Sequence, residues 1–286
     1  MSVVDMRLPV VRSKRRKYPS PIIVLAMGFV ALIVLCALFA PLIAPHDPST
    51  QDIITGLSDP SAEHWLGTND LGQDVLSRLI YGSRNAFIGP LIVAVLSTLL
   101  GSIAGLAAGY LGGRVDALLM QWVDLMLSVP VLLVVIVLVG VVGGSYTLAV
   151  VILSILVAPG GARLVRAATL EQRPRPYVEA AEAIGIPAAR IIRRHVWPNV
   201  MPIAVANGFL VFAFSLVTLS SLSFLGLGVG LETPDWGLML ASSRRLIFES
   251  PVVVLSPGVA LVLLAAASSV IGDWAAERSA QKGTGR

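Results

Sequence analysis

The sequence predicts an all-α, polytopic membrane protein with six transmembrane helices and both termini in the cytoplasm. Three observations carry this. The 286 residues are 56% hydrophobic and only 13% charged, whereas soluble domains carry about 25% charged residues. The apolar residues gather into runs of the length, about 18 or more, that marks membrane helices. Charge is distributed asymmetrically: with the N-terminus inside, 17 of the 21 Lys and Arg face inward and four face outward. Such an excess marks the cytoplasmic side. The mean hydropathy is +0.83.

Residues 1–21 form a basic N-terminal arm with Arg12, Lys14, Arg15, Arg16 and Lys17. It enforces orientation, and contact with anionic lipid is the alternative reading. Residues 22–44 are the first span, about 34 Å as a helix, enough for a hydrocarbon core of about 30 Å. That run exceeds the usual apolar core of a cleaved leader and reads as an uncleaved signal anchor. It holds the lone cysteine, Cys36, so no intrachain disulfide forms.

Residues 45–85 form an extracytoplasmic loop. Asp70, with Gln73 three residues on, resembles a capping box. Leu71, Val75, Leu79 and Ile80 form an apolar stripe, and Asp74 and Arg78 are spaced as an i,i+4 pair. The expectation is an amphipathic helix feeding the second span. Asp70, Asp74 and Arg78 are candidate contacts for an external protein; a helix resting at the lipid interface is the plainer alternative.

Residues 86–274 read as a five-helix core with spans near 86–110, 122–142, 147–165, 200–229 and 252–272. In the first of these, Gly101, Gly105, Gly109 and Gly113 make a ridge at four-residue spacing. Such ridges let membrane helices pack backbone to backbone, here within the chain or against a second one. Pro159-Gly160-Gly161 is expected to bend the fourth span.

The loop at 166–199 is the most polar stretch of the core. Glu179 to Ala183 have high helix propensity. Gly185 stops that helix, Pro187 suits the first turn of a second, and Pro198 is expected to end it. The stretch PYVEAAEAIGIPAARIIRRHVWPN thus reads as helix, turn, helix. Its alanines let another protein approach closely; a helix pair lying at the lipid surface is the competing reading. In the fifth span Asn207, Ser215 and Thr218 are the deepest polar groups and candidates for a solute path, although Ser and Thr often bond their own helix. Residues 275–286 form a cytoplasmic tail.

The sequence also excludes chemistry. It has no G-x-x-x-x-G-K-[ST], no H-E-x-x-H and no G-x-S-x-G. The glycines of Gly226-Leu227-Gly228-Val229-Gly230 lack the strand-turn-helix context of a dinucleotide loop. His46, His64 and His195 show no metal-ligand spacing. No ionisable residue lies deep in a span, as proton-coupled carriers generally require. A membrane enzyme therefore has no catalytic constellation. A passive channel or ion-coupled carrier explains the spans but leaves the 176–199 stretch without a purpose. The net charge of +4 serves topology rather than nucleic-acid binding.

Glu179-Ala180-Ala181, three residues, Gly185, nine residues, then His195-Val196-Trp197-Pro198 resembles the EAA signature loop of permease subunits of binding-protein-dependent ABC importers. His195 and Pro198-Asn199 are similar to the dipeptide, oligopeptide and nickel branch, and Trp197 departs from the general pattern. Leu66-Gly67-Thr68-Asn69-Asp70-Leu71-Gly72-Gln73-Asp74 resembles that branch's lead-in segment, which usually has Asp at position 69 and Arg at 73. Ser220 to Gly230 with Pro234-Asp235-Trp236-Gly237 is similar to its stretch after the fifth span. The resemblance runs from about residue 64 to 274. It implies a type I ABC importer permease fold and a non-catalytic, multi-pass subunit of a prokaryotic cytoplasmic membrane. It implies import of short peptides, with nickel chelates or another small solute as alternatives. Implied partners are a second permease, two cytoplasmic ATP-binding subunits holding ATP and Mg, and an extracytoplasmic solute-binding protein. No cofactor is implied for this chain. Glu179, Ala180, Ala181, Ala183, Gly185 and Pro198 are the implied ATPase-coupling residues.

Overall fold

The computed structural model describes residues 20–230 and 232–283. The basic arm, through Lys17, lies outside the described residues. Among these residues ten α-helices follow in chain order: α1 (Pro21–Ile43), α2 (Val75–Leu111), α3 (Gly113–Leu127), α4 (Val131–Val142), α5 (Tyr146–Gln172), α6 (Pro176–Ala183), α7 (Ala188–Ile191), α8 (Trp197–Phe224), α9 (Trp236–Ser243) and α10 (Pro251–Gly283). Among the described residues, β structure is limited to two isolated bridges, Ser58↔Thr68 and Thr68↔Asp74.

Among the described residues, five helical rods are long and apolar enough to cross a membrane: α1, α2, α5, α7 with α8, and α10. The expected third span at 122–142 is instead the broken pair α3 and α4, bent by 78°. The cause is local. Ser128 closes α3, its N–H donating to the Asp124 carbonyl and its hydroxyl to the Leu125 carbonyl. Pro130 follows, biasing Val129 away from helix, and its fixed φ starts α4 afresh. The fifth span stops at Phe224 rather than 229. Gly226, at φ +78°, reverses the chain, and Leu227 N–H closes the turn on the Leu222 carbonyl.

Prolines inside the helices free carbonyls for other uses. Pro41 cannot donate to Ala37, and α1 kinks at Phe39 (φ −107°, ψ 20°). Arg84 of α2 donates its Nε–H to the vacant Ala37 carbonyl at 2.8 Å, tying α1 to α2. Pro159 leaves α5 unbroken in its helical run.

α2 and α5 form the most extensive helix pair. A Cβ at Gly101 would lie 2.8 Å from the Ala158 carbonyl oxygen, at Gly105 2.5 Å from that of Ala162, and at Gly109 2.7 Å from Thr169 Cβ. The ridge's partner is therefore within the chain. Gly113 is not part of it: it opens α3 at φ +56° with open space around it. One apolar core, including Val93, Leu153, Leu216, Leu264 and Trp236, fills the middle and one end of the bundle. A second, with Tyr110, Val165, Val178, Ile191 and Val200, lies at the other end beneath α6 and α7.

Candidate functional site

α6 forms because Pro176 occupies its first turn, where a missing N–H costs nothing, and because Val178 to Ala183 are mostly strong helix formers. Glu179 stands near the positive end of the helix dipole. The stop is a Schellman motif. Gly185 takes φ +75°, its N–H donates to the Glu182 carbonyl at 2.9 Å, and Ile186 N–H donates to the Ala181 carbonyl at 3.1 Å. A residue with a Cβ is strained at that φ.

One face of α6 is anchored. Val178 and Ala181 are buried, packing with Tyr110, Val165, Ile191, Val196, Val200 and Ala204. Tyr110 of α2 donates its hydroxyl to Glu182 Oε1 at 2.8 Å. Tyr177 donates to Gln172 Oε1 at 2.6 Å, and Asn199 donates to the Tyr177 hydroxyl at 3.3 Å. The other face is bare: Glu179, Ala180, Ala183 and Gly185 are exposed, and Ile184 is 77% exposed. The expectation for Ala181 needs correcting. At 4% exposure it faces inward, so its small size permits packing within this chain.

Pro198 needs a second correction. It does not end the second helix. Ile192–Val196 forms one π turn, with Trp197 N–H bonded five residues back to Ile192, and α8 begins at once with Pro198 in its first turn. The wider turn absorbs a position whose amide cannot donate. Ala188 to Phe224 is consequently one continuous rod of 37 residues. Trp197 fits as a half-buried member of the lower apolar cluster. Two ion pairs brace the neighbouring helices: Arg166 of α5 grips Asp116 of α3 at 2.5 and 2.6 Å, and Arg163 pairs with Asp124.

The three candidate path residues are largely enclosed. Ser215 is fully buried, Thr218 is buried and donates to the Phe214 carbonyl at 2.9 Å, and Asn207 retains partial exposure beside Gly161.

At the opposite end the lead-in segment differs from the sequence expectation. Asp74, not Asp70, caps α2, accepting from Ser77 N–H at 2.7 Å. Asp70 is exposed, but Asp74 and Arg78 are buried and make no ion pair with each other. Arg78 donates to the Pro48 carbonyl at 3.1 Å. Both are therefore internal braces and do not offer an external contact. Asn69 donates to Gln73 Oε1 at 2.9 Å and accepts from the N–H groups of Leu71 and Gln73. His64 Nδ1 lies 2.9 Å from Asp74 Oδ1, with His46 beside it. Burial pushes the Asp74 carboxyl up, but hydrogen bonds from Ser77 and His64 and the charge of His46 outweigh it and hold it below its ordinary value.

Between the last two membrane rods, Asp235 caps α9 by accepting from Gly237 and Leu238 N–H. Trp236 is buried on Gly82 and donates to the Leu79 carbonyl at 2.8 Å. Sequence reasoning missed this clasp, the Tyr110–Glu182 tether and the histidine pair. Each joins residues distant in the chain.

The helical bundle with a short, half-exposed helix pair at one end has the architecture of an importer permease. It is similar to the inward-facing structures of the MetNI methionine ABC transporter. The match there is 19% identical with a TM-score of 0.57, covering 71% of this chain and 96% of that one. The family described as binding-protein-dependent transport system inner membrane component matches residues 97–282, and the chain belongs to it. Residues 19–60 match the N-terminal transmembrane domain of oligopeptide transport permease C. The di/tripeptide transport system permease protein DppC of Pseudomonas aeruginosa is 39% identical over 86% of this chain and 83% of its own length. The probable D,D-dipeptide transport system permease protein DdpC of Escherichia coli is 33% identical over 89% and 85%. The glutathione transport system permease protein GsiD of Pectobacterium atrosepticum is 32% identical over 93% and 92%. The chain is a multi-pass transport subunit of the bacterial inner membrane.

Proposed function

We propose that this chain is the permease subunit of an ATP-driven importer of short peptides. The relatives named for di/tripeptide, D,D-dipeptide and glutathione transport support that cargo. In this reading two separate ATP-binding subunits hold ATP and Mg, a second permease completes the pore, and an external binding protein delivers the solute.

The observation that carries the reading is the two-faced α6. Its inner face is packed and tethered to α2, α5 and α8, while Glu179, Ala180, Ala183 and Gly185 stand bare. A docked ATPase presses on that bare face, and the α7–α8 rod carries the push into the membrane. The bundle then shifts between two arrangements, biased by a ligand bound elsewhere. Asp70 remains a surface contact for the binding protein, and Asn207 an edge of the solute path.

Ala183→Arg tests the docking. In proteoliposomes holding the full complex, the variant is expected to abolish ATP-dependent dipeptide uptake with its unfolding temperature unchanged. Normal uptake in that variant overturns the docking reading. Uptake of a nickel chelate but of no peptide by the wild-type complex overturns the cargo.

A further inference from the structure

His46 and His64 are 18 positions apart and show no ligand pattern along the chain, yet the loop between α1 and α2 folds them onto one carboxylate. A donor atom from each of His46, His64 and Asp74 lies within 4.8 Å of the others. His64 Nδ1 stands 2.9 Å from Asp74 Oδ1, and His46 Nδ1 stands 3.8 Å from Asp74 Oδ2. The imidazole rings tilt at 37° with centroids 4.8 Å apart. We propose that these three side chains form a binding site for one borderline divalent cation of the zinc, cobalt and nickel class.

The donor set fits that class. Two imidazole nitrogens and one carboxylate oxygen suit first-row divalent metals and leave a position for water. With metal–ligand bonds of about 2.0–2.1 Å, a tetrahedral centre spaces its ligands by roughly 3.4 Å. The two observed gaps fall on either side of that value, so small side-chain rotations close the site.

The surroundings fix the ligands. Asp74 is held by the Ser77 N–H, and the His46 N–H donates to Ser77 Oγ at 3.0 Å. The side chains of His46 and His64 keep 35% and 20% exposure while that of Asp74 is 2% exposed. The carboxylate thus forms the floor and the imidazoles the rim of the cluster. The decisive atom is His46 Nδ1. It is shielded from solvent, lies 3.8 Å from Asp74 Oδ2, and has no hydrogen-bond partner among the described residues. A buried polar atom without a partner costs stability, and coordination would satisfy it. The competing reading makes the two histidines mere counter-charges for Asp74; that reading gives His46 Nδ1 no hydrogen bond.

Binding replaces the His64–Asp74 hydrogen bond and requires both imidazoles neutral. It fastens the loop from 46 to 74 onto the first turn of α2, at the end remote from Tyr110 and α6. The 37 residues of α2 separate the two ends by about 55 Å. The site is thus distinct from the coupling face and does not depend on the peptide reading.

The experiment uses the full chain, purified in detergent with a histidine-free tag and stripped with EDTA. Zn2+ is titrated calorimetrically, and Co2+ is followed by its visible absorption. The expected result is one saturable equivalent, a low-coordinate Co2+ spectrum and a Zn2+-dependent rise in unfolding temperature. His46→Gln and His64→Gln are each expected to weaken binding by at least roughly tenfold, while His195→Gln binds as wild type. His46→Gln is the key variant, because its ring nitrogen supports no hydrogen bond whose loss would unfold the loop. Absence of one-equivalent binding, or unchanged affinity in His46→Gln, overturns the proposal.

Discussion

At the scale of single residues, the lead-in segment shows how two departures compensate. Asn69 and Gln73 stand where the peptide branch usually places Asp and Arg. Both are buried, and they form a neutral amide pair. A neutral pair avoids the desolvation that a buried ion pair must overcome. Gln73→Arg alone is expected to cost about 3 kcal/mol, because it buries a charge without a countercharge. Asn69→Asp alone is expected to be mild, since rotating the Gln73 amide offers its NH2 to the new carboxylate. The double substitution is expected to recover most of the loss. Unfolding temperatures of the four proteins check this; additive losses would show that the two positions do not pair. The three alanines of α6 carry the opposite lesson. Ala180, Ala181 and Ala183 were legible as small residues but not as facing different ways. Ala181→Arg is accordingly expected to destabilise the lower core, whereas Ala183→Arg is expected to fold normally.

At the scale of elements, the apolar runs were legible because hydrophobicity is a local property of the chain. α1 falls within a residue of the expected 22–44, whereas α2 begins at Val75 rather than 86, α5 runs on to Gln172 rather than 165 and α10 to Gly283 rather than 272. The glycine ridge was legible as a packing surface, although its partner was not, because spacing carries no information about what lies opposite. The structure assigns it to α5, and that assignment is testable. Gly105→Ala directs a methyl at the Ala162 carbonyl, a backbone atom that cannot step aside. The expected cost is about 1–3 kcal/mol, typical of overpacking. Gly160→Ala meets open space on the same helix pair and is expected to be neutral or slightly stabilising through helix propensity. Equal effects at the two sites in thermal melts would argue against close α2–α5 contact. Breaks were less legible than runs. Pro130 ended a helix, Pro159 did not, and Pro198 was absorbed by a π turn. A proline's position along the chain does not say whether the helix stops, continues or widens there.

At the scale of the whole molecule, the two apolar cores sit at opposite ends of helices that cross both. α2, α5 and α8 run from the Trp236 clasp at one end to α6 at the other. The clasp also makes stability sensitive to pH. Asp235 lies between membrane rods, and burial raises its pKa above the ordinary value, with the Leu238 and Gly237 N–H groups offsetting only part of the rise. The folded state therefore binds this proton more tightly than the unfolded state. Its contribution is fully present below the unfolded pKa and is lost as pH rises through the folded one. Asp235→Asn removes the titration but keeps an oxygen to accept from Gly237 and Leu238, since Asn caps helices about as well as Asp. Groups common to both proteins cancel when the two are compared. The variant's unfolding temperature, relative to wild type, is expected to rise as pH increases above about 4 and then to level off once the folded carboxyl has ionised. A difference that stays flat across that range would mean that the buried carboxylate carries its charge without cost, and that the clasp is stabilised by a countercharge.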